Sequence, residues 1–204
     1  MNKSNTSRKK GAISISFYVI AGILLVSIIF GILFEVISGI VEKRRYPKTY
    51  SDIVEKYSDA YGVPESIIYS VIKAESNFDK NAVSSADPPA LGLMQLQEET
   101  YEWISSYLLK EEALSPFDIY DPDTNIKHGT RYLAYLYGRF ENWDTAFAAY
   151  NAGPTKVSNW LKDSEYSDDG KTLKYIPYKE TRNYVEKVND FRDTYERLYY
   201  SNKK

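Results

Sequence analysis

The sequence predicts a mainly α-helical protein with one membrane-spanning helix at its N-terminus and one folded domain after it. Gly11 to Phe34 carries no charged residue over 24 positions, and a helix of about 20 residues is enough to cross a bilayer. Beyond this segment, apolar residues recur at the three- and four-residue spacing of amphipathic helices. The chain has 204 residues and is 43% hydrophobic, which is sufficient for one modest core.

The N-terminal segment has the features of an uncleaved anchor. Residues 1–10 are polar and basic and are predicted to form a cytoplasmic tail, and residues 11–34 form the membrane helix. The apolar run exceeds the roughly 7 to 15 residues of a signal-peptide core, and charged residues follow it instead of a small-residue cleavage site. A long signal peptide is the alternative. Four cations flank the segment on each side, so the positive-inside rule does not choose an orientation.

A charged linker, residues 35–48, is predicted to lead into a domain over residues 49–200, with residues 201–204 as a tail. Thr49 and Asp52 have the spacing of a helix-capping pair. The helix that they begin is expected to end at Gly62, and Pro64 suits the first turn of the next helix, which should run to about Asn77.

The helix after Pro64 places an acid on its apolar face. Ile68, Val71 and Ile72 form one stripe, and Glu75 follows them at spacings of seven, four and three. Desolvation favours the neutral form of a carboxyl group, and the negative end of the helix dipole acts in the same direction. Glu75 is therefore a candidate general acid. The alternative is a structural Glu that pairs with an Arg or reaches solvent where the helix frays.

Five further helices are predicted. The first spans Glu98 to Leu109. The next has Asp123 as its cap, because Ile126 stands where a calcium loop of this spacing would need Gly. An elbow follows, in which a helix from Asn142 ends at Gly153 and another begins at Pro154. The last helix carries a regular apolar stripe: Tyr184, Val188, Phe191, Tyr195 and Leu198.

The composition excludes several kinds of site. A net charge of −2 does not favour a nucleic-acid partner. The absence of cysteine removes disulfides, thiolate metal sites and a cysteine nucleophile. The single histidine, His128, cannot build a multi-histidine metal site and is predicted to lie on the surface. We expect no metal and no cofactor.

Separate blocks of the sequence then match one known family in order. They are Glu75-Ser76 with Asn77-Phe78, Asn81-Ala82-Val83-Ser84, Gly92-Leu93-Met94-Gln95, Ala149 to Pro154, and Glu180-Thr181-Arg182 with Tyr184-Val185. Across roughly residues 50 to 195 the chain resembles the catalytic domain of the soluble-type (SLT) lytic transglycosylases. The resemblance implies a lysozyme-like helical fold, with a very small β element near the cleft.

The resemblance also implies a chemistry and a set of site residues. Glu75 would be the single catalytic acid and base in cleaving peptidoglycan between N-acetylmuramic acid and N-acetylglucosamine, leaving a 1,6-anhydro end. Substrate contacts are expected from seven residues: Ser84, Met94, Gln95, Tyr150, Asn151, Glu180 and Tyr184. Asp87-Pro88-Pro89 extends the family pattern by two residues beside the cleft.

Because peptidoglycan lies outside the cell membrane, this substrate places the domain on the extracytoplasmic side of a single-pass anchor. Two alternatives stay open at this point. One is a goose-type muramidase that hydrolyses the same bond. The other is a non-catalytic glycan-binding component of an envelope-spanning complex.

Overall fold

The computed structural model describes residues 4–112 and 115–201, with side chains from residue 19 onward except that of Pro116. The chain divides into two compact units, Met1–Pro47 and Lys48–Lys204. Residues 1–3 of the predicted cytoplasmic tail and residues 202–204 of the predicted C-terminal tail lie outside the described residues.

The first unit is one helix, α1, over Ser4–Arg45. Its large apolar side chains from Val19 to Val41 are exposed around the whole helix, a pattern that suits lipid better than water. The stretch Val19–Arg45 contains an 18-residue window with a mean hydropathy of 2.7 and is long and apolar enough to cross a membrane, a test that signal sequences also pass. The predicted linker, residues 35–48, is helical as far as Arg45.

The second unit is built from helices, as the sequence predicts. Its α-helices are α2 (Ser51–Tyr61), α3 (Glu65–Glu75), α4 (Glu98–Trp103), α5 (Pro122–Phe140), α6 (Trp143–Ala152), α7 (Pro154–Trp160) and α8 (Lys179–Tyr195). π-Helical turns follow α4 at Ile104–Leu109 and α8 at Glu196–Tyr200, and a 3-10 turn spans Pro116–Tyr120. The expected small β element is present: β1 (Ala90–Leu91) pairs antiparallel with β2 (Leu96–Gln97).

Helix α3 runs through the centre of this unit. Its residues Ser66 to Ile72 are all buried, and α3 packs most extensively against α8. Helix α6 bridges α8 and α5, and α2 covers another side of α5. The core therefore surrounds the helix that ends at Glu75.

Two helix starts differ from the sequence predictions. The predicted capping pair Thr49 and Asp52 is wrong: Tyr50 precedes α2 in the left-handed conformation (φ 64°), and no side chain caps the helix. The predicted cap Asp123 is wrong as well. Asp121 caps α5 by accepting a hydrogen bond from Thr124 N at 3.0 Å, while the Asp123 carboxylate binds α2 through Lys56 at 2.9 Å and the Tyr57 hydroxyl at 2.6 Å.

The predicted surface position of His128 is also wrong. The side chain is 2% exposed, because the turn Ile104–Leu109 covers this face of α5. One ring nitrogen lies 3.0 Å from Ser105 Oγ and the other 2.7 Å from the carbonyl oxygen of Thr124. Burial lowers the pKa of His128, so the ring serves as a neutral core residue with both nitrogens hydrogen-bonded.

The first and last segments of the folded unit meet at one carboxylate. Glu65 accepts hydrogen bonds from Lys48 Nζ at 2.9 Å and from the Tyr200 hydroxyl at 2.8 Å. The Lys48 ammonium also lies 4.9 Å from the centre of the Tyr200 ring, within range of a cation–π attraction. The C-terminal turn is thereby attached to the start of the domain.

Candidate active site

A cleft of about 520 Å³ opens at the C-terminal end of α3. Its walls come from the loop before β1, from β2, from the turn between α6 and α7, and from the first turn of α8. Six of the eight predicted site residues line it: Glu75, Ser84, Gln95, Tyr150, Asn151 and Glu180. A larger open depression of about 620 Å³, lined by residues of 58–66 and 193–201, contains none of the eight.

Glu75 is the last residue of α3 and lies where the chain leaves the helix sharply. Asn77 and Phe78 both take positive φ angles (50° and 70°), which non-glycine residues adopt only at a cost. This turn leaves the Glu75 carboxyl partly buried at the cleft. Burial raises the pKa of Glu75 to about 7, against smaller lowering effects from the Tyr184 hydroxyl and the Lys187 ammonium. The carboxyl can therefore exist in both protonation states near neutral pH.

Two tyrosine hydroxyls enclose the Glu75 carboxyl. Burial raises the pKa of both Tyr150 and Tyr184 well above the usual value, and the nearby Glu75 charge adds to the shift. The Tyr184 hydroxyl meets no partner within strict hydrogen-bond geometry, although it lies near enough to Glu75 to act on its pKa. The contact is therefore short-range and dipolar. Tyr184 lies beside the acid and does not line the cleft.

The segment Gly92–Gln95, hereafter the floor segment, brings Gln95 to the wall of the cleft. Ser76 Oγ donates to the carbonyl of Leu93 at 2.8 Å. Asn125 Oδ1 accepts from Met94 N at 2.8 Å, and the Tyr150 hydroxyl donates to the Met94 carbonyl at 2.8 Å. The ends of α3 and α6 and the start of α5 are thus bonded to one short stretch of backbone, which fixes the distances around Glu75.

Asn125 makes this arrangement possible. Its amide group also donates to the carbonyls of Leu91 at 3.2 Å and Ile119 at 2.8 Å, so both ends of the buried amide are satisfied. Gly92 (φ +75°) must be glycine here, since a Cβ would lie 2.4 Å from Asn125 Nδ2. Met94 packs just as closely on α5, where a Cβ at Gly129 would lie 2.3 Å from the Met94 sulfur.

The structure limits which groups Gln95 and Met94, two of the predicted substrate contacts, can present to a ligand. Gln95 has a positive φ (48°), and its amide nitrogen donates to the carbonyls of Ala82 at 3.1 Å and Gly92 at 2.9 Å. Its side chain thus presents a carbonyl oxygen, not an N–H group, to a ligand. The Met94 side chain is fully buried and does not line the cleft, so it supports the floor from beneath.

Ser84 holds the rim of the cleft in shape. Its hydroxyl accepts from Ala90 N at 2.8 Å, and its own N–H donates to the Ala90 carbonyl at 2.9 Å. These two bonds close the loop of residues 85–89, which contains the additional residues of Asp87-Pro88-Pro89. Gln97 Nε2 donates to the Pro88 carbonyl at 3.2 Å, and Ala86 in the loop lines the cleft.

Sequence reasoning missed several functional positions. Thr100, Tyr132 and Lys156 also line the cleft, and Asn125 organises its floor. For Asn125 the sequence contains one signal: it is a polar residue directly before Ile126, which belongs to the apolar face of the predicted helix. The other three carry no signal in a single sequence. Within the described ranges, 4–112 and 115–201, no group of three or more His, Asp or Glu side chains is placed to hold a metal ion.

Comparison with known proteins identifies relatives of this chain. The family model described as the transglycosylase SLT domain matches residues 52–173, more than half of the chain. The soluble lytic murein transglycosylase of Escherichia coli strain K12 is 34% identical over 163 residues, covering 79% of this chain and 25% of that protein. The membrane-bound lytic murein transglycosylase C of Edwardsiella ictaluri is 30% identical, covering 84% of this chain and 52% of that protein.

A solved structure shares the fold. It is an inactive mutant of the lytic transglycosylase Slt from Pseudomonas aeruginosa, in which one glutamate is replaced by glutamine. The match has a TM-score of 0.66 at 30% identity and covers 76% of this chain and 25% of that one. The present chain thus spans between a quarter and about half the length of these relatives.

Proposed function

Because this chain belongs to the transglycosylase SLT domain family, we propose that it is a membrane-anchored lytic transglycosylase of peptidoglycan. It would cleave the β-1,4 bond between N-acetylmuramic acid and N-acetylglucosamine and leave a 1,6-anhydro end. One observation carries the proposal: a partly buried carboxyl group, with its pKa raised to about 7, lies at the edge of the cleft. The relatives support it through their names, and the inactive Glu-to-Gln relative supports a glutamate as the essential group.

The reaction begins with protonated Glu75. It donates its proton to the glycosidic oxygen, the bond from that oxygen to the anomeric carbon breaks, and the N-acetylglucosamine end leaves as an alcohol. Positive charge develops at the anomeric carbon, where the substrate's own N-acetyl group stabilises it. Glu75 is now ionised, and the Lys187 ammonium and Tyr184 hydroxyl, which both lower its pKa, stabilise that form.

The second step returns the enzyme to its starting state. Ionised Glu75 takes the proton from the C6 hydroxyl of the muramic acid, and the C6 oxygen bonds to the anomeric carbon to close the 1,6-anhydro ring. No water is consumed, and the proton count balances. A single group that serves as acid and then as base needs a pKa near the working pH, which burial gives to Glu75.

An ordinary glycosidase uses two carboxyl groups. In the described part of the chain, Glu180 is the other acidic side chain that lines the cleft, and it is exposed. Glu180 lies in the first turn of α8. We assign Glu180 to substrate contact, together with Asn151 and the Gln95 carbonyl oxygen.

Helix α1 would anchor the enzyme with its tail in the cytoplasm and the domain outside, where peptidoglycan lies. The exposed apolar surface of α1 and the membrane-bound relative support the anchor. The substrate supports the orientation.

The test is digestion of purified peptidoglycan by the full chain in mild detergent, followed by mass analysis of the products. We expect muramic acid ends lighter by one water than hydrolysis products. Glu75→Gln should fold normally and lose about 10²- to 10⁴-fold in rate, the usual contribution of general acid–base catalysis.

Glu186→Gln is the matched control, because Glu186 is an exposed residue of α8 that does not line the cleft. It should cleave like the wild type. Hydrated ends would instead identify a muramidase. Unchanged cleavage by Glu75→Gln would remove Glu75 from the mechanism.

A further inference from the structure

We propose that Lys187 is a positioning residue for the catalytic carboxyl, because from α8 it holds the last turn of α3 and so fixes where Glu75 lies at the cleft. Lys187 does not line the cleft. It would therefore act through Glu75 and not on the substrate. The inference rests on the proposed function, since it adds a residue to that reaction.

One face of α8 is directed at the cleft and at the end of α3. Glu180, Tyr184 and Lys187 follow one another at spacings of four and three, which places them on one side of the helix. Glu180 lines the cleft, and the Tyr184 hydroxyl acts on the Glu75 carboxyl. Lys187 Nζ donates to the carbonyl oxygen of Ala74 at 2.7 Å. Successive turns of α8 thus contact the substrate path, the acid and the backbone that carries the acid.

The Ala74 carbonyl is a sensitive point of α3. In the last turn of this helix, Asn77 N donates to the carbonyl of Lys73 at 3.2 Å, and the next carbonyl, that of Ala74, accepts from the Lys187 ammonium group. It belongs to the peptide group that joins Ala74 to Glu75. A cation at a helix C-terminus satisfies a terminal carbonyl and offsets the negative end of the helix dipole. The bond from Lys187 therefore fixes the backbone directly before the acid.

A second lysine lies close to Lys187 at this end of α3. The ammonium groups of Lys73 and Lys187 lie 5.2 and 5.9 Å from the centre of the Phe191 ring, and Lys73 Nζ also donates to Asn77 Oδ1 at 3.2 Å. Burial and the Lys187 charge lower the pKa of Lys73, so the two cations repel each other. Neighbouring like charges destabilise a helix surface, and a purely stabilising role therefore does not account for Lys187.

The charge of Lys187 also reaches the Glu75 carboxyl. Burial raises the pKa of Glu75 to about 7, while the neutral Tyr184 hydroxyl and the charged Lys187 ammonium lower it. The titratable side chains that act on Glu75 or line its cleft come from four helices: Tyr132 on α5, Tyr150 on α6, Lys156 on α7, and Glu180, Tyr184 and Lys187 on α8. Burial raises the pKa of all three tyrosines, so they stay neutral while Glu75 titrates.

Loss of the Lys187 charge should have two linked effects on Glu75. A nearby cation favours the ionised carboxylate, so its removal should raise the pKa of Glu75 further. The acid form then persists to higher pH, and the decline of the rate on the alkaline side moves upward. A carboxyl group with a higher pKa is also a weaker acid, so the rate below that decline should fall. A merely structural defect would lower the rate without moving the decline.

The test is Lys187→Met in the full chain, which removes the ammonium group from an exposed position. The assay follows the release of 1,6-anhydro ends from soluble glycan strands between pH 5 and 9. The pH of half-maximal rate should rise by about 0.2 to 0.7, and kcat below the decline should fall about two- to fivefold, the range for one charge at a helix terminus. KM should not change. Lys187→Arg keeps a cation with N–H donors and should retain the wild-type profile.

Lys162→Met is the matched control, because Lys162 is an exposed lysine after α7 that does not line the cleft. It should leave the pH profile unchanged. A second measurement does not depend on activity: the free energy of unfolding, referred to Glu75→Gln, should continue to fall to higher pH in Lys187→Met than in wild type. An unchanged pH of half-maximal rate, or the same shift in Lys162→Met, would overturn the inference.

The outcomes also separate this inference from the proposed function. If wild-type protein releases anhydro ends and Lys187→Met keeps its pH profile, only the role of Lys187 is refuted. If wild-type protein does not cut peptidoglycan at all, the proposed function fails and the catalytic role of Lys187 fails with it.

Discussion

The floor segment and a neighbouring cavity of about 370 Å³ lined by Trp103, Tyr132 and Tyr135, here called the aromatic cavity, are stabilised by different forces. The floor, Gly92–Gln95, is held by directed hydrogen bonds from Ser76, Asn125 and Tyr150. The aromatic cavity is held by ring packing among the partly buried Trp103 and Tyr135 and the buried Tyr132. Buried hydrogen bonds impose one geometry and are costly to break, whereas ring contacts at a surface are weaker and tolerate replacement. A carboxyl group that must be held in one geometry needs the first kind of support.

The strongest test of this difference between the floor segment and the aromatic cavity is Asn125→Ala. The change leaves Met94 N–H and the carbonyls of Leu91 and Ile119 without their partner. Each buried polar group left unsatisfied costs about 1–3 kcal/mol, so we expect a loss of about 3–5 kcal/mol in the free energy of unfolding. Chemical denaturation monitored by circular dichroism measures it. Asn159→Ala, at an exposed position of α7, should change stability little, and an equal effect there would contradict the role of Asn125.

The next effect is a pH dependence that comes from Glu75. Its pKa is about 7 in the folded protein and 4.5 in the reference state, so the folded state binds more protons between these values. Stability should therefore fall as pH rises from about 4.5 to 7 and then level off. The loss attributable to this group is about 3 kcal/mol.

Comparison of wild type with Glu75→Gln at pH 5 and pH 8 isolates this contribution, because other titrating groups cancel. The variant should gain stability relative to wild type at the higher pH. If the free energies of unfolding of the two proteins changed with pH in parallel, the Glu75 carboxyl would not be desolvated. In the cleavage assay, the same pKa predicts that the rate falls as pH rises above about 7, since the acid form is lost.

The smallest effect is expected at the aromatic cavity. Tyr107 is 66% exposed and contributes one stacking contact to Trp103. Tyr107→Ala should therefore lower the free energy of unfolding by no more than about 1 kcal/mol. Thermal unfolding of Tyr107→Ala and Asn125→Ala, measured in parallel, compares the two losses of stability. A loss as large as that of Asn125→Ala would mean that the aromatic cavity is part of the core.

Local signals predicted the regular elements well. The stripe of Ile68, Val71 and Ile72 placed α3 and identified the carboxyl that terminates it, and Gly62 marked the end of α2 at a positive φ of 69°. These features depend on neighbours in sequence. Asp121-Pro122 is an equally local signal for the start of α5, since proline suits the first helical position, and the prediction of Asp123 did not use it.

The errors concern residues whose environment comes from distant segments. The amphipathic pattern of α5 shows one apolar side, but α2, α6 and the turn Ile104–Leu109 cover more of the helix than one stripe. His128 is buried for that reason, and Asp123 is drawn toward α2. Asn125 likewise acquires its role only when residues 91, 94 and 119 arrive beside it. A single sequence does not show which residues from separate segments will come into contact.

The hydrogen bonds at Glu65 suggest that the helices of this fold could be connected in a different order. Lys48 and Tyr200 bind the same carboxylate, so the two ends of the compact unit are neighbours in space, and a short glycine-rich bridge could join them. New termini could then open at the exposed stretch around Gly170, far along the chain from Glu75 and the floor segment. Circular permutants of this kind are tolerated when the original ends lie close together, and they would change the order of the helices in the folded unit without altering Glu75.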